Sequence, residues 1–128
     1  YEDILKDKTV NPQLLRYELH RVWVVEANLR KGLSQPYAKP RPHLDEDSWQ
    51  ILAVDVYDKK GTLVGLQESH PINYYDAPMF GSTLETIYDF PGNRYFADGL
   101  DNNEPMYDFK AKLAPIDFTP QALRREGN

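Results

Sequence analysis

The sequence predicts a mainly β protein, a curved antiparallel meander of about six strands followed by a short C-terminal helix. Three observations predict it. Apolar and polar residues alternate with a period of two in several short runs. Gly, Pro, Asn and Asp punctuate those runs at turn spacing. Thr119-Pro120, near the C-terminus, starts the one helix expected, while Asn11-Pro12 marks a turn or at most a helical turn.

The clearest element is the run Leu44 to Ser69, LDEDSWQILAVDVYDKKGTLVGLQES. Asp58-Lys59-Lys60-Gly61 has the chemistry of a type I turn closed by a left-handed glycine, which sets a bulged hairpin. The simplest register pairs Tyr57 with Leu63, Val56 with Val64, and Val54 with Leu66. One face of the ribbon is then much more apolar than the other.

The remaining elements follow in order. Tyr1 to Pro12 reads as loop with at most a helical turn. Leu15 to Leu29 alternates, interrupted by Arg21, and reads as one long strand, with Glu18, His20, Arg21 and Glu26 placed for surface ion pairs. Lys31 to Gln35 reads as a loop. Tyr37 to Leu44 reads as an edge strand, because Pro36, Pro40 and Pro42 fall on one parity and leave the missing donors along one side. His70 to Phe80 reads as an irregular connection. Ser82 to Asp98 forms a second hairpin turning at Phe90-Pro91-Gly92-Asn93, and Gly99 to Asp117 is mainly loop. Pro120 to Glu126 is the helix, capped by Thr119 and ended by Gly127. The β-meander thus occupies residues 13–100 and the loop and helix 101–128.

Composition removes several function classes. The chain of 128 residues has no cysteine, so neither a disulfide nor a thiolate metal site can form. With 15 Lys and Arg against 20 Asp and Glu, the net charge of −5 argues against a phosphate backbone as partner, so no nucleic acid is expected. No apolar stretch is long enough for a transmembrane helix. His20, His43 and His70 are the only histidines and form no HExxH or HxH motif, so no metal is expected. The serines lie in no GxSxG elbow, and no cofactor motif is present, so no enzymatic role is expected. The acidic run Asp45-Glu46-Asp47 and the run Asp101 to Glu104 read as solvated turns.

The segments RYELHRVWVVEA (16–27), LDEDSWQ (44–50), YDKKGTLVGLQE (57–68) and FTPQALRR (118–125) together resemble the C-terminal part of the bacterial family known as domain of unknown function 1329, or DUF1329. One departure is Lys39-Pro40-Arg41-Pro42-His43, where that pattern has arginine and aromatic residues. The hairpin also resembles the lipoprotein carriers LolA and LolB. This resemblance implies an unclosed β-barrel of which residues 1–128 form a single domain or a C-terminal fragment. It further implies an exported Gram-negative protein in the periplasm or at the periplasmic face of the outer membrane, and it assigns no catalytic residue.

Two function classes follow. The first is a non-catalytic envelope carrier of a lipid or other hydrophobic small molecule, with Trp23, Val25, Val54, Val56, Val64 and Leu66 lining an apolar site. The second is a structural or interaction module that docks on an envelope protein partner through Tyr74 and Tyr75, or that pairs with a second copy as a homodimer.

Overall fold

The computed structural model describes residues 1–30, 32–33, 39–101 and 107–127. Its centre is one six-stranded antiparallel sheet in the order β1 to β6. The strands are β1 (Val22–Val24), β2 (Lys39–Asp45), β3 (Ile51–Tyr57), β4 (Leu63–Tyr74), β5 (Met79–Asp89) and β6 (Arg94–Gly99). Each strand pairs with its sequence neighbour, and β1 and β6 do not meet, so the sheet is an open meander. Helix α1 (Pro120–Glu126) follows a 3-10 turn at Pro115–Phe118. Thr119 caps α1 by accepting from the Ala122 amide at 3.3 Å, with Pro120 in its first turn.

The β3–β4 hairpin forms as its turn chemistry dictates. Asp58 Oδ1 accepts from the amides of Lys60 and Thr62 at 2.8 and 2.9 Å, and Gly61 takes φ +81°. Tyr57 pairs with Leu63 as expected, but a bulge follows between Val56 and Tyr57. Val56 therefore pairs with Gly65, Asp55 with Leu66, and Val54 with Gln67, one place from the expected register. The cause lies at Gly65, where an added Cβ would sit 2.7 Å from the Tyr88 carbonyl oxygen and 3.6 Å from Val56 Cβ. Only a residue without a side chain fits that slot, and Val64 becomes the extra residue.

Three further expectations are corrected. The first strand is much shorter than residues 15–29 and covers only Val22–Val24. Residues 15–20 instead run across the face of the sheet, where Tyr17 reaches Glu68 and His70 on β4. Strand β2 is not an edge, since it lies between β1 and β3. Its prolines face β1, where the Pro42 and Pro40 carbonyls accept from the Val25 and Ala27 amides at 2.9 and 3.2 Å. Two missing donors leave that ladder one-directional, which accounts for the brevity of β1. Most of His70 to Phe80 is strand, because β4 extends to Tyr74 and β5 begins at Met79.

The second hairpin turns at 90–93 as expected, with the Asn93 amide donating to the Phe90 carbonyl at 3.1 Å. The expected loop at 31–35, the start of the strand at 37–44, and Asn102, Asn103 and Glu104 fall wholly or partly outside the described residues.

Candidate functional site

Directly opposed residues of antiparallel strands share a face. One face of the sheet therefore carries the rows Val24, His43, Ala53, Glu68, Thr86, Ala97 and Arg41, Asp55, Leu66, Tyr88, Tyr95. The other carries Pro42, Val54, Gln67, Ile87, Phe96 and Pro40, Val56, Gly65, Asp89, Arg94. Trp23 and, by alternation, Val25 belong to this second face.

The N-terminal segment covers the first face. Its attachments are specific: the Tyr95 hydroxyl donates to the Lys6 carbonyl at 2.8 Å, and the Tyr17 hydroxyl donates to Glu68 Oε1 at 3.3 Å. The Tyr17 ring also meets His70 edge-on at 5.8 Å. Between segment and sheet lies a half-open trough of about 960 Å³. Its apolar wall includes Leu14, Leu15, Leu52, Ile72, Phe80 and Leu84. A second cavity of about 370 Å³ adjoins it, lined by Val10, Leu66, Tyr88 and Phe90, and shares Leu15, Tyr17 and Glu68 with the trough.

All three histidines line the trough, each near a carboxylate. His20 Nδ1 lies 3.0 Å from Asp45 Oδ1, and His43 Nε2 lies 3.1 Å from Asp55 Oδ2. His70 sits two residues along β4 from Glu68, and its buried Nε2 has no hydrogen-bond partner. Burial lowers the His70 pKa below the ordinary histidine value, against the pull of Glu68. Tyr17 is pushed up to about 12 by burial first and by Glu68 second. The buried Asp45 is held below its usual value, chiefly by the Ser48 hydroxyl, which donates at 2.6 Å.

His20, Asp45 and Asp47 bring ligand-type atoms within 4.8 Å of one another. Asp45 already accepts from the Ser48 amide and hydroxyl and faces His20, which commits its oxygens to closing the 45–50 turn. Here the acidic run departs from a solvated turn, because Asp45 is buried. The expected surface ion pairs do form, Arg21 with Glu46 at 2.6 Å and Glu26 with Lys39 and Arg41 at 2.9 and 3.0 Å.

The six residues expected to share an apolar face are divided by the bulge. Leu66 is on the covered face and borders the smaller cavity, whereas Val54 and Val56 are on the opposite one with Trp23 and Val25. Val64 is the extra residue of the bulge, and its carbonyl accepts from the Phe90 amide at 3.0 Å. Of the pair expected to meet a partner, Tyr74 is engaged edge-on by Tyr107 and Phe109, both at 5.6 Å, while Tyr75 is 86% exposed. Sequence reasoning missed His43, Glu68 and His70 as a group. Their place on one face becomes visible only once the register is known.

The family model described as protein of unknown function (DUF1329) matches residues 1–124. The chain belongs to this family. It is 44% identical to the uncharacterised protein PA3922 of Pseudomonas aeruginosa over 128 residues, which is 99% of this chain and 28% of that protein. Among solved structures, the fold is similar to a DUF1329 family protein from Desulfovibrio piger, with a TM-score of 0.52 and 20% identity. That match covers 80% of this chain and 40% of the other. It is also similar to a "putative outer membrane lipoprotein-sorting protein domain" from Vibrio parahaemolyticus, with a TM-score of 0.51 and 20% identity, over 81% of this chain and 42% of that one. The chain thus spans well under half the length of the relatives it matches. These two likenesses support the fold alone, an open antiparallel sheet. Among the described residues, no helix is long and apolar enough to cross a membrane.

Proposed function

We propose that this chain forms part of a non-catalytic carrier that holds a lipid or other hydrophobic molecule in the Gram-negative envelope, with the trough beneath the N-terminal segment as its site. The observation that carries this reading is a half-open cavity of about 960 Å³ with a leucine-rich wall between an open sheet and a separate covering segment. That volume suits a small ligand. Burying a ten-carbon chain at about 0.8 kcal/mol per methylene gives a gross gain of about 8 kcal/mol, against which the cost of association is set. Fold similarity to a lipoprotein-sorting domain supports a periplasmic location and a hydrophobic cargo.

The test is titration with the neutral probe N-phenylnaphthylamine, together with organic extraction and mass spectrometry of the purified chain. Leu15→Asp, in the wall of both cavities, is expected to weaken probe binding by at least about tenfold. Phe96→Lys, on the opposite face, should leave it unchanged. The reverse pattern would move the site to the face of Trp23, Val25, Val54 and Val56. Absence of probe binding would reject the carrier reading.

A second reading is favoured by the opposite face itself. Trp23, Ile51, Ile87 and Phe96 are all exposed there, which suits docking on an envelope protein or a second copy of the chain. Tyr75 supplies a further exposed aromatic contact.

A further inference from the structure

The carboxylates that line the trough are not equivalent. Glu18 is paired by Arg16 at 2.5 Å, while Asp45 and Asp55 each meet a histidine ring, His20 at 3.0 Å and His43 at 3.1 Å. Glu68 is different. Its contacts are hydroxyls, Tyr17 at 3.3 Å and Thr86 at the long distance of 3.5 Å, and among the described residues no cation pairs with it. It also stands where the two cavities meet, bordering both. A part-buried carboxylate without a counter-ion is costly, so the site favours whatever positive charge can reach it.

The surroundings narrow the chemistry of that charge. Tyr17 and Tyr88 line the smaller cavity with Glu68, and aromatic faces attract ammonium groups. His70 lines the same trough two residues along β4, and burial lowers its pKa, so it favours the neutral form and does not supply the charge. Apolar wall continues on either side, at Leu66 and Phe90 in one cavity and at Leu52 and Leu84 in the other. The nearby cations do not fill the role, since Arg94 is held by Asp89 at 2.8 Å and Lys8 is exposed at the rim.

We infer that the trough selects apolar ligands bearing a positively charged amine head, with Glu68 as the counter-ion and the Tyr17 and Tyr88 rings beside the ammonium. This inference rests on the trough being the ligand site and adds the class of ligand it takes. The net charge of −5 favours the approach of such a ligand.

The experiment compares decylamine, decanol and decanoate, equal in chain length and kept below their aggregation limits, as displacers of N-phenylnaphthylamine at neutral pH. Protonated decylamine is expected to displace the probe at about one-tenth the concentration of decanol, with decanoate weakest. Glu68→Gln, checked for folding by circular dichroism, is expected to remove the preference for the amine over decanol. Equal or tighter binding of decanoate would overturn the inference, as would an amine preference that survives Glu68→Gln. Probe binding without any head-group preference sinks this inference alone, whereas failure of the probe to bind sinks the carrier reading with it.

Discussion

Asp45 illustrates how one side chain fixes a turn and a pH response together. Its buried carboxylate accepts from the Ser48 amide and hydroxyl, and its carbonyl accepts from the Trp49 amide at 3.0 Å. Trp49 is thereby held at φ +60°, a left-handed conformation uncommon for a bulky residue. The pH dependence follows from two opposite shifts. Asp45 is lowered from 3.8, chiefly by Ser48, so its contribution is full above 3.8 and lost as pH falls through its lower folded value. His20 is raised from 6.5, chiefly by Asp45, so its contribution is full below 6.5 and lost as pH climbs through its higher folded value. The pair is strongest between those two limits. A melting-temperature profile is expected to peak there and decline on both flanks, and Asp45→Asn should flatten both limbs and cost about 1–3 kcal/mol at the peak. Superimposable profiles for the two proteins would refute the coupling.

At the scale of elements, Gly65 decides the register of β3 on β4. Gly65→Ala would press a methyl to 2.7 Å from the Tyr88 carbonyl, which is backbone and cannot swing aside. A loss of about 1–3 kcal/mol is expected in denaturant unfolding. Gly61→Ala meets nothing within 4 Å and costs only the strain of its left-handed turn, about 1 kcal/mol. Equal losses at the two glycines would mean that the close approach does not set the register. This contrast explains what the sequence made legible. The β3–β4 turn, the second hairpin and α1 were readable because their determinants, Asp58 with Gly61, residues 90–93, and Thr119 with Pro120, are local. The bulge was not, because its cause is a carbonyl on β5, a strand remote from the turn. Residues 15–20 misled for a related reason. Their alternation suits a strand, yet Tyr17 spends its contacts on Glu68 and His70 across the sheet instead of extending β1. Periodicity also rewards apolar faces, so it drew attention to Val54 and Val56 and away from His43, Glu68 and His70, which line the trough.

At the scale of the whole molecule, the two faces of one open sheet have different fates. The N-terminal segment lies over one face, and the other exposes Ile87 and Phe96 as cross-strand partners, at 48% and 60% of their surface. Trp23 and Ile51 extend that apolar surface towards β1. Exposed apolar side chains of this size are unfavourable in water, and burying them against a second copy removes both apolar surfaces at once. In sedimentation velocity, the weight-average mass of the free chain is expected to rise from the micromolar to the submillimolar range. The double substitution Ile87→Lys, Phe96→Lys should hold it monomeric by placing two charges in the patch. Because both residues are remote from the trough, N-phenylnaphthylamine should bind the double variant as tightly as it binds the original chain. A monomer at every concentration would exclude a second copy as the occupant of this face, and a probe affinity that fell with the two lysines would show that the faces do not act independently.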